Sequence, residues 1–414
     1  MNDLFQKAFL FLLCAVLAVK VYEVAHMMDV FQPPLVFNEE RCELVPGIVG
    51  AEDIVVINPQ LALSGSDDRR KLWDDEQHGP NNMSNGALFA LIWKDKEHKY
   101  LQVEPLELHG FPNIAFHPHG LYFQRNDSKL YVVNHAYNLG GERIDVFHVA
   151  VKDQNEKSSQ AVDAEEIADA VVSLTYLFSI QHEALEQANG VVNDIIAVSP
   201  TSLYATVYRA FPDPQYGRKH PRTLTESLNR PLNTLAGLLW KGTYVLFCTF
   251  DGSSRRNATD CRVVAQGFSM ANGISTDHHA HVVLVVDAVK HKVRVFNRSA
   301  SSEDGELLHW YDVELQYAAD NIEYHHASNS WYLGSILNLR AALQHSEAFL
   351  PGMNSPGGVQ RLWFEPSTSS FQSEVLLAHS GRKLSGVSCA VPFGSKLAMG
   401  SWSEDGILLC PSPS

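Results

Sequence analysis

The chain has 414 residues, an apolar content of 45% and a formal net charge of −15 at neutral pH. A phosphate backbone demands a basic face, so an acidic balance of this size excludes nucleic acid as a partner. The apolar content is ordinary for a globular chain, and closed all-β folds of this length form one domain.

The first element is an unbroken apolar run, Ala8 to Val19, between Lys7 and Lys20. It is shorter than the roughly 20 residues that span a bilayer. Residues 1–30 therefore read either as a secretory signal, with Val16-Leu17-Ala18 the nearest approach to a cleavage site, or as a retained membrane-seeking arm. Both place the chain in the secretory pathway, secreted or attached on the lumenal side. Asn82, Asn126, Asn257 and Asn297 open N-x-S/T sequons and are the glycosylation candidates.

After the arm, one phrase recurs. Glu52-Asp53 opens a strand pair (AEDIVVINPQLALSGS), and so do His119-Gly120, Asn193-Asp194, Asn272-Gly273, Asp320-Asn321 and Ser385-Gly386. Each opener precedes a short apolar run, a turn and a second run, which is two strands joined tightly. The intervals are roughly 50–80 residues, the period of a β-propeller blade. The expected fold is all-β: a six-bladed β-propeller over residues 40–414, with an N-terminal apolar helix and an inserted lid-like segment. Every opener then lies at the same end of an innermost strand, around the mouth of the central channel.

Between these units, 67–86 and 153–169 read as exposed, charged loops. The long irregular insertion is 209–241, where Leu232, Leu235, Leu239 and Trp240 have helical spacing and Pro231 suits a first helical turn. Its two readings are a lid over the channel mouth and a surface helix on the rim. Cys42 follows the arm and Cys410 nearly ends the chain, where a disulfide would tie the first strand of a propeller to the last. Cys248 and Cys261 flank a polar turn and allow a cross-hairpin bridge; Cys389 reads as a buried thiol and Cys14 belongs to the arm.

Glu52, Asp53, Asn193, Asp194, Asn272, Asp320 and Asn321 are all oxygen donors, with no cysteine among them. Hard cations take six to eight such oxygens, so the set is of calcium type. Any one Asn or Asp at a strand start more often satisfies a turn, but four converging carboxylates would repel one another without a cation. The Asp277-His278-His279-His281 cluster falls on a hairpin turn and is read as incidental. No G-x-S-x-G, H-E-x-x-H or P-loop pattern occurs.

AEDIVVIN, HPHGLYF, YVVNHA, NGVVNDIIAV, GFSMANGIS and ADNIEY resemble, in order and spacing, the motifs of the paraoxonase/arylesterase family. The resemblance implies a secreted or membrane-associated propeller with two calcium ions, hydrolysing lactones and aryl esters, with a lipid surface as partner of the arm. It implies that Glu52, Asn193, Asn272, Asp320 and Asn321 hold the catalytic ion. Asp53, Asp194 and the Leu121 carbonyl would hold the structural one. His119 and His135 match the family's histidine pair, with His119 the expected base, since it opens an inner strand, and His135 orienting it. The terminal disulfide is a family feature too. Two departures fall where the substrate wall belongs: Val207-Tyr208-Arg209 replaces the family's Asn-Asp-His, and the 209–241 insertion is atypical. A gluconolactonase-like sugar lactonase and a non-catalytic, calcium-stabilised binding or chaperone module are the alternative readings.

Overall fold

The structure is a computed structural model that describes residues 2–31, 33, 35–74, 85–137, 140–153, 170–217, 220–239, 241–251, 258–299, 304–346 and 353–412. Among the described residues, six sheets stand around one axis, antiparallel except where the short strand Leu108–His109 joins Ala170–Ile180 in parallel at the edge of the second. Their innermost strands are Ala51–Asn58, Pro118–Gln124, Val192–Ser199, Ala271–Thr276, Ala318–His325 and Val387–Phe393. Each of these packs against the next, and the last packs against the first, so the ring is closed. The expected six-bladed propeller is the fold.

Apolar residues on both faces of the inner and middle strands build the core as a series of inter-blade layers. Ile54, Trp93, Phe393 and Ile407 join the last blade to the first; Leu63, Leu88, Phe116 and Phe147 join the first to the second. The strands converge at the axis, which explains the glycine in two of the openers. A Cβ on Gly120 would strike the Asn193 carbonyl, and one on Gly273 would lie 2.7 Å from the Asn321 Cα.

The ring is closed by chain ends. Glu43–Val49 pairs with Asp405–Pro411 as the outermost strand of the last blade. The Cys42–Cys410 disulfide fastens this seam, and Cys248–Cys261 bridges the facing strands of its hairpin. Cys389 is buried and reduced, and Cys14 is exposed on the arm. Two disulfides fit an oxidising compartment.

Among the described residues, five α-helices lie outside the sheets: α1 (Asn2–Met27), α2 (Arg69–Asp74), α3 (Glu183–Gln187), α4 (Leu224–Leu239) and α5 (Leu339–Ser346). α1 extends the apolar run at both ends, and its segment Phe5–Met27 is long and apolar enough to cross a membrane, a property shared with signal sequences. Met27 packs on Val289 and Leu339, and Asp29 accepts the Leu339 N–H at 2.9 Å, capping α5.

The reading of 67–86 as an exposed loop is corrected at its start. Asp67 and Arg69 are buried and α2 turns them toward the channel mouth; 75–84 lie outside the described residues, as do 154–169 of the second loop. The insertion forms α4, but Pro231 sits inside the helix rather than in its first turn. The true start is a capping box that the reading missed: the Glu226 N–H donates to Thr223 Oγ1 at 3.1 Å and the Thr223 N–H to Glu226 Oε2 at 3.1 Å. Of the apolar side read from the spacing, Leu232 is half-buried and Leu235 exposed, while the side chain of Leu239 and the whole of Trp240 lie outside the described residues. α4 is held by Asn229 and Asn233, whose amides bond the Pro212 carbonyl and the Phe211 backbone, while Leu224 (78% exposed), Leu228 (48%) and Leu235 (42%) face outward. Sequons Asn126 and Asn297 are exposed; Asn82 and Asn257 lie outside the described residues.

Candidate active site and metal centre

In every blade the inner strand slips register with its neighbour at or beside the opener. The breaks fall between Ala51 and Ile54, Pro118 and Leu121, Val192 and Ile195, Ala271 and Ile274, Ala319 and Ile322, and Val387 and Cys389. A bulge leaves residues out of the ladder and re-aims their side chains. That is how two consecutive polar residues reach the axis from a strand that otherwise alternates.

The openers gather around a cavity of ≈ 240 Å³ whose wall includes Glu52, His119, Asn193, Asn272 and Asp320. Three asparagines there use their nitrogen on protein and leave their oxygen bare. Asn193 Nδ2 is 3.1 Å from His119 Nε2, Asn321 Nδ2 donates to the Glu52 carbonyl at 3.0 Å, and the Asn272 amide bonds the Asp320 carboxylate. Oδ1 of Asn193, Asn272 and Asn321 is buried with no hydrogen-bond partner. Buried acceptors are nearly always satisfied, so three together call for a cationic or donor group. The Asp320 carboxyl lies well above the usual carboxylate range, pushed there first by burial and then by Glu52.

Deeper in the channel, Asp53 Oδ2 accepts the Leu121 N–H at 2.8 Å and Oδ1 accepts that of Ile54 at 2.8 Å. Leu121 thus meets Asp53 through its amide. Burial nevertheless raises the Asp53 carboxyl to about 7, and burial followed by the charge of Asp53 raises Asp194 well above its ordinary value. The sequence reading missed a third member, Glu323, which hydrogen-bonds Asp53 and is raised by burial and then by Asp53 and Asp194. Its signal was a lone acid within the apolar strand that Asp320 opens. Glu323 lines a second cavity, of ≈ 720 Å³, at the opposite end of the channel. His278, His279 and His281, read as incidental, are exposed there on the expected hairpin turn.

Among the described residues, no three His, Cys, Asp or Glu side chains are grouped so as to hold a metal by themselves. The donors fit calcium differently, as carboxamide and carboxylate oxygens in mixture, which is the chemistry a hard cation prefers.

The two histidines meet, with ring centroids 4.6 Å apart. His135 Nδ1 lies 2.8 Å from Glu142 Oε1. The departure from the family pattern lies on the same wall. Tyr208 stacks beside His119 at 6.3 Å, Arg209 sits over Tyr208, and Arg209 pairs with Asp213 at 3.5 Å. Thr234 and Gly237 of α4, with Leu339 and Leu343 of α5, complete the rim. Arg209, Asn233, Thr234 and Gly237 of the insertion are thus part of the cavity lining.

Comparison with known proteins agrees with the motifs. The family model described as Arylesterase matches residues 40–408. Human serum paraoxonase/lactonase 3 is 24% identical over 367 residues, covering 87% of this chain and 86% of the relative. Chicken serum paraoxonase/arylesterase 2 is 25% identical over 365 residues at the same coverages. Mouse serum paraoxonase/arylesterase 1 is 25% identical over 375. A gluconolactonase from Xanthomonas campestris aligns with 92% of this chain and 99% of its own at 12% identity, but its TM-score of 0.41 is too low to bear weight. The family match begins just before the ring-closing strand and ends within its partner, so it spans all six blades: the chain belongs to the arylesterase family.

Proposed function

We propose that this protein is a calcium-dependent hydrolase of lactones and aryl esters that works at a lipid surface. The observation that carries the reading is the set of three buried, unsatisfied asparagine oxygens facing desolvated carboxylates in a cavity that also holds two histidines. Family membership supports the ester chemistry, as do the names of the relatives. Glu52, Asn193, Asn272, Asp320 and Asn321 are the residues that would hold the catalytic ion. Asp53 and Asp194, with the Leu121 carbonyl, would hold a second, structural ion. Calcium bound by the first set would polarise a substrate carbonyl and stabilise the oxyanion that develops on attack.

The chain itself supplies the rest. A histidine of the cavity takes the proton of the attacking water and returns it to the leaving oxygen. Apolar side chains of α5 and the flanking strands receive the acyl portion, while Tyr208 and Arg209 shape the opposite wall. α1 and the outward leucines of α4 flank the same mouth, which suits substrates delivered from a lipid surface.

The test is hydrolysis of a δ-lactone with a medium acyl chain by the purified protein, first with calcium and then with EGTA. Turnover that needs calcium and disappears in Asp320→Ala is the expected result. Tight calcium binding without turnover of lactones or aryl esters would favour a binding module, the reading that Tyr208 and Arg209 in the wall keep open.

A further inference from the structure

We infer that Arg209 is an anion site in the wall of the cavity, and that the ester this protein takes carries a carboxylate on its alcohol half. The inference rests on the hydrolase reading above and names its substrate class.

The chain fixes Arg209 at the level of the openers. Val207 ends the strand Ser202–Val207 and pairs with Val192, the residue before Asn193. The Tyr208 N–H then donates to the Val191 carbonyl at 3.1 Å, and the Phe211 N–H to Asn233 Oδ1 of α4 at 2.8 Å. Arg209 lies between these two anchors, so its backbone is held on both sides. Its side chain is 20% exposed and lines the cavity. The guanidinium is 5.2 Å from the centre of the Tyr208 ring, which itself lies beside His119.

The two arginines of the lining differ in the donors they have left. Arg69 gives Nη1 to the Gly50 and Trp402 carbonyls, at 3.3 and 3.2 Å, and Nη2 to that of Pro118 at 2.7 Å. Among the described residues, the Arg209 guanidinium makes no hydrogen bond. Its charge partner, Asp213 Oδ1, is 3.5 Å from Nη1, beyond the usual N–H···O range. Asp213 is buried and stands outside the lining. Its backbone is clamped to Asn189: its N–H donates to the Asn189 carbonyl at 2.9 Å and its carbonyl accepts Asn189 Nδ2 at 3.2 Å. Asp213 therefore orients the guanidinium from behind and leaves the fork of donors turned to the cavity. A carboxylate there would accept two parallel N–H bonds from it. The acids that share the cavity do not cancel this preference. Glu52 and Asp320 belong to the proposed ion, and Asp67 Oδ1 lies 3.2 Å from His117 Nδ1.

Place in the ring decides which half of the ester carries the charge. The two histidines belong to the second blade and Arg209 to the third, beside it. α5, whose Leu339 and Leu343 receive the acyl chain on the reading above, follows the second strand of the fifth. With the scissile carbonyl at the histidines and the acyl chain toward α5, the alcohol half is left to meet the third blade.

The experiment compares para-carboxyphenyl hexanoate with para-carbamoylphenyl hexanoate, which has nearly the same shape and no charge. The ratio of kcat/KM for the two is measured in wild type, Arg209→Gln and Arg209→Lys, so that the intrinsic reactivity of each ester cancels between variants. We expect the ratio to fall by roughly 10- to 100-fold in Arg209→Gln, the contribution of hydrogen bonds to a charged group, and mostly through KM. Arg209→Lys should keep part of it, since a lysine retains the charge and loses the fork. A second measurement uses wild type alone: para-hydroxybenzoate should inhibit it more tightly than para-hydroxybenzamide. An unchanged ratio in Arg209→Gln, which would put the carboxylate on another group, or equal inhibition by the two phenols, would overturn the anion site. A wild type that turns over neither ester would instead overturn the hydrolase reading, and this inference with it.

Discussion

Asp194 Oδ2 accepts the Ile274 N–H at 2.8 Å, repeating on the far side of the channel what Asp53 Oδ2 does with Leu121 at 2.8 Å. Each aspartate also accepts the amide of the residue that follows it. Each carboxylate is thus tied to a neighbouring blade by one amide and to its own strand by another. Two N–H bonds favour the anion, yet burial outweighs them in both residues and their charges oppose each other.

A cation held between them would remove that conflict and stabilise only the folded state. A ligand at 100 times its dissociation constant stabilises by about 2.7 kcal/mol. We therefore expect the thermal midpoint in calcium to exceed that in EGTA by several degrees, and Asp194→Asn to reduce the difference. Scanning fluorimetry in both buffers measures it. Equal midpoints in wild type would remove the structural-ion reading.

The seam predicts a second cost. Cys42 and Cys410 close a loop with a sequence separation of 368 residues, and the strand pairing they fasten is what completes the last blade. Native disulfides of this kind contribute about 2–5 kcal/mol. Cys42→Ser should change the non-reducing mobility and lower the denaturant midpoint, with the denaturation slope held as the control. An unchanged midpoint would mean that strand pairing alone holds the ring.

The propeller was legible because its period is written in the openers, and Asn193-Asp194 or Asp320-Asn321 stand out from apolar strands without any structure. The bulges explain why pairs recur, but nothing in sequence announces a bulge. Arg69 and Glu142 were illegible for different reasons: Arg69 reaches His119, 50 positions away, only through packing, and Glu142 meets His135, 7 positions away, only through strand register. In α4 the leucine spacing did not show what holds the helix, which is Asn229 and Asn233 bonding the insertion's own backbone; Leu232 is half-buried, and Leu224, Leu228 and Leu235 are exposed.

Those leucines give a third prediction. Leu224, Leu228 and Leu235 are exposed on α4, whose later residues Asn233, Thr234 and Gly237 line the cavity, and burying one leucine in an apolar phase is worth about 1.5–3 kcal/mol when complete. Replacing all three with serine should raise KM for a lactone presented in vesicles and leave KM for a water-soluble ester unchanged. An equal effect on both substrates would assign the leucines to folding instead of docking.

The last prediction concerns acid. His379 ends the strand Ser370–His379 fully buried, its Nδ1 accepting the Gly381 N–H at 3.2 Å and its Nε2 without a partner. Burial lowers its pKa from 6.5 to about 4, with Glu39 opposing weakly. The folded pKa is below the unfolded one, so the unfolded chain gains a proton first as the pH falls. Stability from this group is complete above pH 6.5 and is lost between 6.5 and about 4, by about 3 kcal/mol. His379→Asn keeps an acceptor for Gly381 and cannot ionise. Urea midpoints followed between pH 7 and pH 4 should fall less steeply in that variant than in wild type. Parallel slopes would show that His379 is solvated on the way to unfolding and carries none of the acid sensitivity.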